Sequence, residues 1–382
     1  MLPLATTKAQ LNGFELGRPS LLKLTSNALL PSPLRRSRAF IVREDTVPLG
    51  FGVYVGFESR GVENIPAAAN FVVLPDEFSY LCDGDVLRIM PARSSVRVLY
   101  RRASSQNFAL VTERCNNYCL MCSQPPKLVD DSWIVDDLLN LLPLIDRGTK
   151  ELIFTGGEPT LLGERFIALL RECRSWLPET AIHILSNGRA FADLSFAERY
   201  AAVQHRDMMV GIPIYSDLSD RHDYVVQADG AFDETIRGIL NLKQLRQRVE
   251  IRVVLHRQTV HRLPYLAEFI ARNLRFVDQV ALMGLEMTGF TKANFDTLWI
   301  DPYDYQAELL SAVETLDNAR VKVKIYNHQL CVLDKSLWPY AYKSISDWKN
   351  EYMDECNRCD ILDQCGGFFS SAKLDTALTS AR

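Results

Sequence analysis

Two textures of hydrophobic patterning divide the chain. Over roughly the first hundred residues the apolar positions fall in short β-branched or aromatic runs, at 51–57, 70–74, 85–89 and 96–100, each bounded by Gly, Pro or Asp, which predicts short strands. The opening 35 residues, with Pro31, Pro33 and the pair Arg35 and Arg36, have weak periodicity and read as an arm or irregular lead-in. From Asn107 onward, apolar runs alternate with segments of helical period. Strands are predicted at 108–112, 151–155, 181–185, 208–214, 250–255 and 277–283, and helices at 133–145, 165–176, 194–203, 232–246 and 263–273. Strands alternating with helices build a parallel sheet. Six such units make an open, partial (βα)6 barrel, short of the eight that close a full one, with the loops after the strand C-termini as its active-site rim. A helix at 303–316, a strand at 321–326 and a short Cys-bearing tail follow. The predicted class is α/β, with a β-rich domain over 1–105, the partial barrel over 106–300 and a Cys-rich extension over 301–382.

Composition narrows the function classes. With 47% apolar and 24% charged residues in 382, the chain has ordinary globular usage and enough length for two or three cores. Forty-three Lys and Arg against 47 Asp and Glu leave a net charge of −4, so no global basic field marks a nucleic-acid or anionic-membrane binder. No run of 18 apolar residues and no N-terminal charged-then-apolar signal is present, and the expected location is cytoplasmic. Nine Cys is an odd number, and seven of them fall in two tight groups, a poor fit to a secreted disulfide framework. Clustered thiols in a reducing compartment point to metal.

The first group, Cys115, Cys119 and Cys122, is a C-x3-C-x2-C pattern directly after the first barrel strand. Structural zinc wants four closed tetrahedral ligands, and no fourth Cys or His stands nearby. A [4Fe–4S] cluster takes one thiolate per iron, so three Cys leave one iron open to a substrate or cofactor. These residues, with apolar Met121 before the last, resemble the signature of radical S-adenosylmethionine (SAM) enzymes. The resemblance implies that the amine and carboxylate of SAM chelate the open iron. One electron then cleaves SAM to methionine and a 5′-deoxyadenosyl radical, which abstracts a substrate hydrogen atom.

Other residues fall where SAM would need them. Gly156, Gly157, Glu158 and Pro159, after the second strand, resemble the family's GGEP motif, whose role is contact with the methionyl amine; alone, the tetrapeptide reads as a strand-to-helix turn. Asn187 ends the third strand, where a turn and a polar contact to SAM are both open. Ser216, after the fourth strand, stands where relatives donate to the SAM ribose. On the fifth strand an inward Arg252 needs an anion, either the SAM carboxylate or a neighbouring acid. For the sixth, 282–286 are open to lining the adenine or substrate side, with core packing the preferred role of Met283. The scattered histidines receive no role, and Cys82 and Cys173 are read as buried packing residues.

The second group, Cys356, Cys359 and Cys365 with Cys331 upstream, can fully ligate a second [4Fe–4S] cluster or close a zinc site. It resembles the auxiliary-cluster extensions of peptide-modifying radical SAM enzymes, the SPASM and shorter twitch types, with four Cys rather than seven. That implies one auxiliary cluster with no open iron. Two stretches, 112–127 and 347–369, resemble the His-Xaa-Ser system radical SAM maturase family HxsC, and the likeness extends over nearly the whole chain. It implies a ribosomally made precursor peptide with His-Xaa-Ser repeats as substrate, the maturase HxsB and small protein HxsD as partners, and an external electron donor.

Overall fold

The computed structural model describes residues 2–15, 19–43, 47–60, 65, 69–343 and 350–369. Residues 347–349 of the quoted tail stretch, and 370–382 of the expected extension, lie outside these.

The N-terminal part holds eight strands: β1 (Ala5–Thr6), β2 (Gln10–Asn12), β3 (Ser20–Thr25), β4 (Arg38–Ile41), β5 (Val53–Phe57), β6 (Asn70–Leu74), β7 (Val86–Met90) and β8 (Ser95–Tyr100). A single-turn helix α1 (Ser32–Arg35) joins β3 to β4. They form one mixed sheet in the order β1-β8-β7-β3-β4-β5-β6-β2. β1 and β2 stand at opposite edges, yet residues 7–9 alone connect them. Four Cα steps reach about 14 Å at most, so the sheet curls until its edges nearly meet. Leu24, Val55, Phe57, Leu74, Phe78 and Leu87 fill the inside. The opening residues are thus strands, and the expected irregular lead-in is corrected. Edge strands of two and three residues are too short to show a period, and they exist through pairing with β8 and β6.

Seven parallel strands follow, each hydrogen-bonded to the next in chain order: β9 (Gln106–Thr112), β10 (Glu151–Gly156), β11 (Ala181–Leu185), β12 (Met208–Pro213), β13 (Arg248–Leu255), β14 (Gln279–Gly284) and β15 (Val323–Tyr326). Between them run α2 (Trp133–Leu141), α3 (Glu164–Trp176), α4 (Leu194–Ala201), α5 (Ser219–Val226), α6 (Ala231–Gln244), α7 (Leu263–Asn273), α8 (Phe290–Ala293), α9 (Phe295–Leu298) and α10 (Gln306–Asn318). The six expected strands are present, but the sheet has a seventh. The strand read at 321–326 as part of the extension pairs parallel with β14, and its crossover helix α10 packs on α7. The barrel unit therefore runs on through Tyr326 and does not stop at residue 300, because a parallel strand carries its crossover with it. The last short pair, β16 (Asn350–Glu351) and β17 (Phe368–Phe369), is antiparallel.

The two faces of the parallel sheet differ. Val111, Leu152, Phe154, Ile184, Val210, Ile251, Val253 and Leu282 point to the helices and are buried in the main core. On the alternate positions β9 and β13 show partial exposure, at Phe108, Leu110, Arg252 and Val254. Parallel sheets are ordinarily covered on both faces, so this face lines an open concavity.

The N-terminal barrel is pinned to the outer helix layer by Arg88 on β7. Its side chain is 8% exposed, pairs with Asp137 on α2 and lies 4.1 Å over the Trp133 ring. A second tie joins the Tyr100 hydroxyl to Thr149 Oγ1 at 2.8 Å. Burial holds the Asp137 carboxyl above its usual range despite Arg88, so removal of the cation leaves an unpaired, poorly solvated acid. Arg88→Ala is expected to lower unfolding stability by about 2–4 kcal/mol, with Asp137→Asn in the same chain recovering part of it, as read by urea denaturation. Equal stability of wild type and Arg88→Ala would contradict this clamp.

Candidate active site

The thiol loop begins where β9 ends. Thr112 Oγ1 donates to buried Asp131 Oδ2 at 2.8 Å, the Glu113 N–H donates to the same oxygen, and Arg114 Nε lies 3.3 Å from Asp131 Oδ1. Beyond this anchor, backbone groups far along the chain hold the loop. The Tyr118 and Leu120 N–H groups donate to the Val226 and Val225 carbonyls at the end of α5, at 2.9 and 3.0 Å. The Phe290 N–H donates to the Cys122 carbonyl at 2.8 Å, and Asn294 Nδ2 to the Leu120 carbonyl at 2.8 Å. Arg189, fixed by Glu234, donates to the Asn116 carbonyl (2.8 Å) and Asn117 Oδ1 (2.7 Å). Asp131, Arg189, Asn294 and α5 escaped the sequence reading. A lone polar residue in a loop carries no periodic signal, and the sequence of α5, SDRHDYVV, opens with five polar residues.

Cys115, Cys119 and Cys122 are half-buried together. Burial pushes the Cys115 thiol up to about 11 and drives Cys119 higher, where repulsion from Cys122 and Cys115 adds to the effect. Without metal the trio is neutral at pH 7, and a metal would have to displace protons. The Asn117 N–H lies 3.4 Å from Cys115 Sγ, a donor of the kind that tunes a cluster sulfur.

The GGEP loop packs directly on this segment. The Gly157 and Glu158 N–H groups donate to the Thr112 and Arg114 carbonyls, both at 2.8 Å. A Cβ on Gly157 would stand 2.0 Å from the Arg114 oxygen, and one on Gly156, whose φ is +139°, 2.3 Å from the Thr112 oxygen. The glycines thus admit the backbone of the thiol loop itself. Pro159 is buried at the first position of a 3-10 turn (Pro159–Leu162).

Glu158 is buried, and protein donors already engage it: Thr160 N–H (2.9 Å), Thr160 Oγ1 (2.6 Å) and Ser186 Oγ (2.9 Å) on Oε1, and the Asn187 N–H (2.6 Å) on Oε2. Burial raises its carboxyl above the usual range against these donors. Asn187 in turn donates through Nδ2 to Asn116 Oδ1 at 2.7 Å. The carboxylate joins the GGEP loop to the end of β11, and Asn187 extends that link to the thiol loop. Oε2 keeps one lone-pair direction for an ammonium.

Of the remaining expected residues, Ser216 is buried, and its Oγ accepts from the Leu218 N–H (3.2 Å) while lying 3.3 Å from Asp217 Oδ1. Arg252 finds its counter-charge inside the protein, donating to Glu250 Oε1 at 2.6 Å. Glu250 stands two residues earlier on the same face of β13, a partner the period of two gives away. Arg252 also reaches Met283 Sδ at 3.0 Å, so Met283 is half-buried in the concavity and does not pack in the core as expected. Cys173 is buried, whereas Cys82 is half-buried and its thiol donates to Asp85. His256, just past β13, is wholly buried with neither ring nitrogen partnered among the described residues, and its ring centroid is 6.2 Å from that of Tyr215. Burial lowers it to about 3, so the ring is neutral.

The C-terminal thiols also share one locality. Cys331 is raised first by burial and then by Cys365, Cys356 and Cys359. Cys365 Sγ receives the Leu330 and Gly367 N–H groups at 3.5 and 3.4 Å, and Tyr352 holds the Cys365 carbonyl at 2.8 Å.

Among the described residues no three His, Cys, Asp or Glu side chains converge tightly enough for a single metal ion. A cubane spreads its ligating sulfurs over separate iron corners and asks for no single point of convergence, and the repulsion that Cys122 and Cys115 exert on Cys119 puts the three thiols in one neighbourhood. Residues 110–270 match the Radical SAM superfamily. These residues form a radical SAM domain. Such a domain implies SAM and a [4Fe–4S] cluster, and Cys115, Cys119 and Cys122 lie within the matched residues. A similar protein is Fe-coproporphyrin III synthase of Methanosarcina barkeri, 23% identical over 170 residues, 42% of this chain and 39% of the relative. Another is GTP 3′,8-cyclase of Helicobacter pylori, 31% identical over 136 residues, 34% of this chain and 40% of the relative. The chain thus spans about two fifths of the length of these curated relatives. Among solved structures, Streptococcus suis SuiB bound to S-adenosylmethionine overlaps 72% of this chain and 74% of its own, with 15% identity and a TM-score of 0.47. Among the described residues no helix is long and apolar enough to cross a membrane.

Proposed function

We propose that the chain is a peptide-modifying radical SAM maturase of the HxsC kind, acting on a ribosomally made precursor with His-Xaa-Ser repeats. The observation that carries it is the thiol trio, held at the rim of an open barrel by five separate segments, while among the described residues no three His, Cys, Asp or Glu side chains close a single-metal site. When bound there, the cluster and SAM supply a hydrogen-abstracting adenosyl radical on one-electron reduction by an external donor. The protein's own part is positional. Asp131 and Arg189 fix the loop, Glu158 and Asn187 tie it to the neighbouring strand ends, and Gly156, Gly157, Asn187, Ser216 and Arg252 stand on the SAM side. Cys331, Cys356, Cys359 and Cys365 hold a second, fully ligated [4Fe–4S] cluster serving electron transfer or structure. HxsB and HxsD are the proposed partners, and the N-terminal barrel is the proposed grip on precursor or partner.

Reconstituted protein is expected to carry about eight iron and little zinc per chain. Cys359→Ser should remove about four iron while leaving SAM cleavage measurable; two zinc and no iron in wild type would overturn the cluster assignment. The names of the two curated relatives point, for those proteins, to substrates other than peptides, which makes a small-molecule substrate the competing reading. Deuterium transfer from a labelled His-Xaa-Ser repeat peptide into 5′-deoxyadenosine is the expected result. Active SAM cleavage with no transfer from any such peptide would favour the small molecule.

A further inference from the structure

One peptide unit of the thiol loop lies between an arginine and a thiol sulfur. The bond from Asn116 to Asn117 is trans, so its carbonyl and its N–H point in opposite directions. The N–H end faces Cys115 Sγ at 3.4 Å, and the carbonyl end accepts from Arg189 Nη1 at 2.8 Å. The side-chain amide of Asn117 repeats the arrangement. Its Oδ1 accepts from the same Arg189 nitrogen at 2.7 Å. Against the burial that raises the Cys119 thiol, a hydrogen bond from the Asn117 side chain pulls it down. Two amides thus turn their oxygens to one guanidinium and their N–H groups to two of the three thiols. A cation on an amide oxygen draws electron density from the nitrogen and strengthens the bond that its N–H donates.

Arg189 is held for this task from an outer helix. Its side chain is 15% exposed, and its Nε donates to Glu234 Oε2 at 2.5 Å. Further along α6, Thr235 Oγ1 donates to the Asn187 carbonyl at 3.1 Å, and Asn241 Nδ2 to the Phe191 and Ala192 carbonyls at 2.9 and 3.1 Å. A Cβ on Gly238 would stand 2.3 Å from the Gly188 oxygen, so the helix presses directly on that backbone. Residues 234, 235, 238 and 241 follow helical spacing, and one face of α6 therefore grips the segment 187–192 from which Arg189 projects. Asn117 itself is 2% exposed, which keeps water from competing for its amide.

We propose that Arg189, fixed by Glu234, is a positioning residue that aims the two amides of Asn117 at the Cys115 and Cys119 sulfurs and thereby sets the reduction potential of the cluster those thiols hold. The assignment rests on the reading of these thiols as cluster ligands and is independent of the substrate. Donors to a ligating sulfur favour the more negative, reduced state, so they raise the potential.

The test is a dithionite titration of the full reconstituted chain, followed by electron paramagnetic resonance of the signal that changes when SAM is added. At a fixed poise, Arg189→Gln should lower the reduced-to-oxidised ratio about fivefold, the worth of one net hydrogen bond, or about 40 mV for one electron. Glu234→Ala separates aim from charge. Loss of a nearby negative charge alone would raise the potential, whereas release of Arg189 should lower the ratio about threefold. Glu234→Gln removes the same charge but keeps an acceptor for Nε, and its ratio should lie above that of Glu234→Ala. Arg199→Gln, which breaks the pair with Glu164 on neighbouring helices, is the control and should leave the ratio unmoved. In the metal-free chain, hydrogen exchange over 115–119 should quicken about fivefold in Arg189→Gln. An unchanged or raised potential in clustered Glu234→Ala, or an unchanged one in clustered Arg189→Gln, overturns the proposal. Should Arg189→Gln take up no iron, Glu234→Ala decides alone, since that side chain is 48% exposed and lies away from the thiols. Full iron content in Cys115→Ala would fell the ligand reading itself. Iron loss there, with potentials unmoved by the Arg189 and Glu234 variants, would fell the positioning role alone.

Discussion

Cys115→Ala is expected to reduce 5′-deoxyadenosine release to below about 1% of wild type, because loss of an outer-shell partner alone typically costs a metal site 10–100-fold and Cys115 is a proposed direct ligand. In the proposed assignment three thiolates are the whole protein contribution to this cluster, and among the described residues no three His, Cys, Asp or Glu side chains gather into a set that could compensate. Asn117 N–H, 3.4 Å from the Cys115 sulfur, would lose its acceptor as well. Iron should fall from about eight to about four per chain, the remainder residing at the C-terminal thiols. Anaerobic reconstitution with SAM and dithionite, followed by chromatography of the nucleoside products, reads both numbers. Release at the wild-type rate from Cys115→Ala would remove this loop from the chemistry altogether.

Gly157→Ala is the second large effect, and it acts without touching a ligand. The added methyl would meet the Arg114 carbonyl oxygen at 2.0 Å and its carbon at 2.5 Å, and both are backbone atoms that cannot swing aside. Relief requires the GGEP loop and the thiol segment to part, which breaks the hydrogen bonds from Gly157 to Thr112 and from Glu158 to Arg114. A cost of about 3 kcal/mol in stability is expected, at the upper end for overpacking. Cluster uptake should drop with it, since the loop that presents Cys115 loses its neighbour. Gly148→Ala is the matched control. Its nearest atom is a flexible carboxylate oxygen at 3.2 Å, and its effect should be small. Identical melting and iron content for Gly157→Ala and Gly148→Ala would show that the close approach is dispensable.

The parts of this molecule that were legible in the chain are those written in local spacing. The period of two and the intervening helical period located six strands and five helices, and the C-x3-C-x2-C pattern located the thiol loop. What escaped depends on partners distant in sequence. β1 and β2 are two and three residues long and draw their order from β8 and β6, some sixty to ninety residues away. The helical reading passed over α5, whose sequence starts with Ser219, Asp220, Arg221, His222 and Asp223, although its final two carbonyls carry the thiol loop. The residues of β15 predict a strand but do not tell which sheet it joins, and only its parallel pairing with β14 places it in the barrel. An inward Arg252 needs an anion, and the acid that supplies it lies two positions upstream at Glu250.

The anchoring of the thiol loop has a consequence for how the protein is made. Cys115, Cys119 and Cys122 leave the ribosome long before Val226, Phe290 and Asn294, the residues that hold their loop in place. Domains fold as units during synthesis, so the loop gains its last backbone partners only once the chain has been made as far as Asn294. Translation stalled before Asn294 leaves a thiol-bearing fragment without the contacts that order its loop.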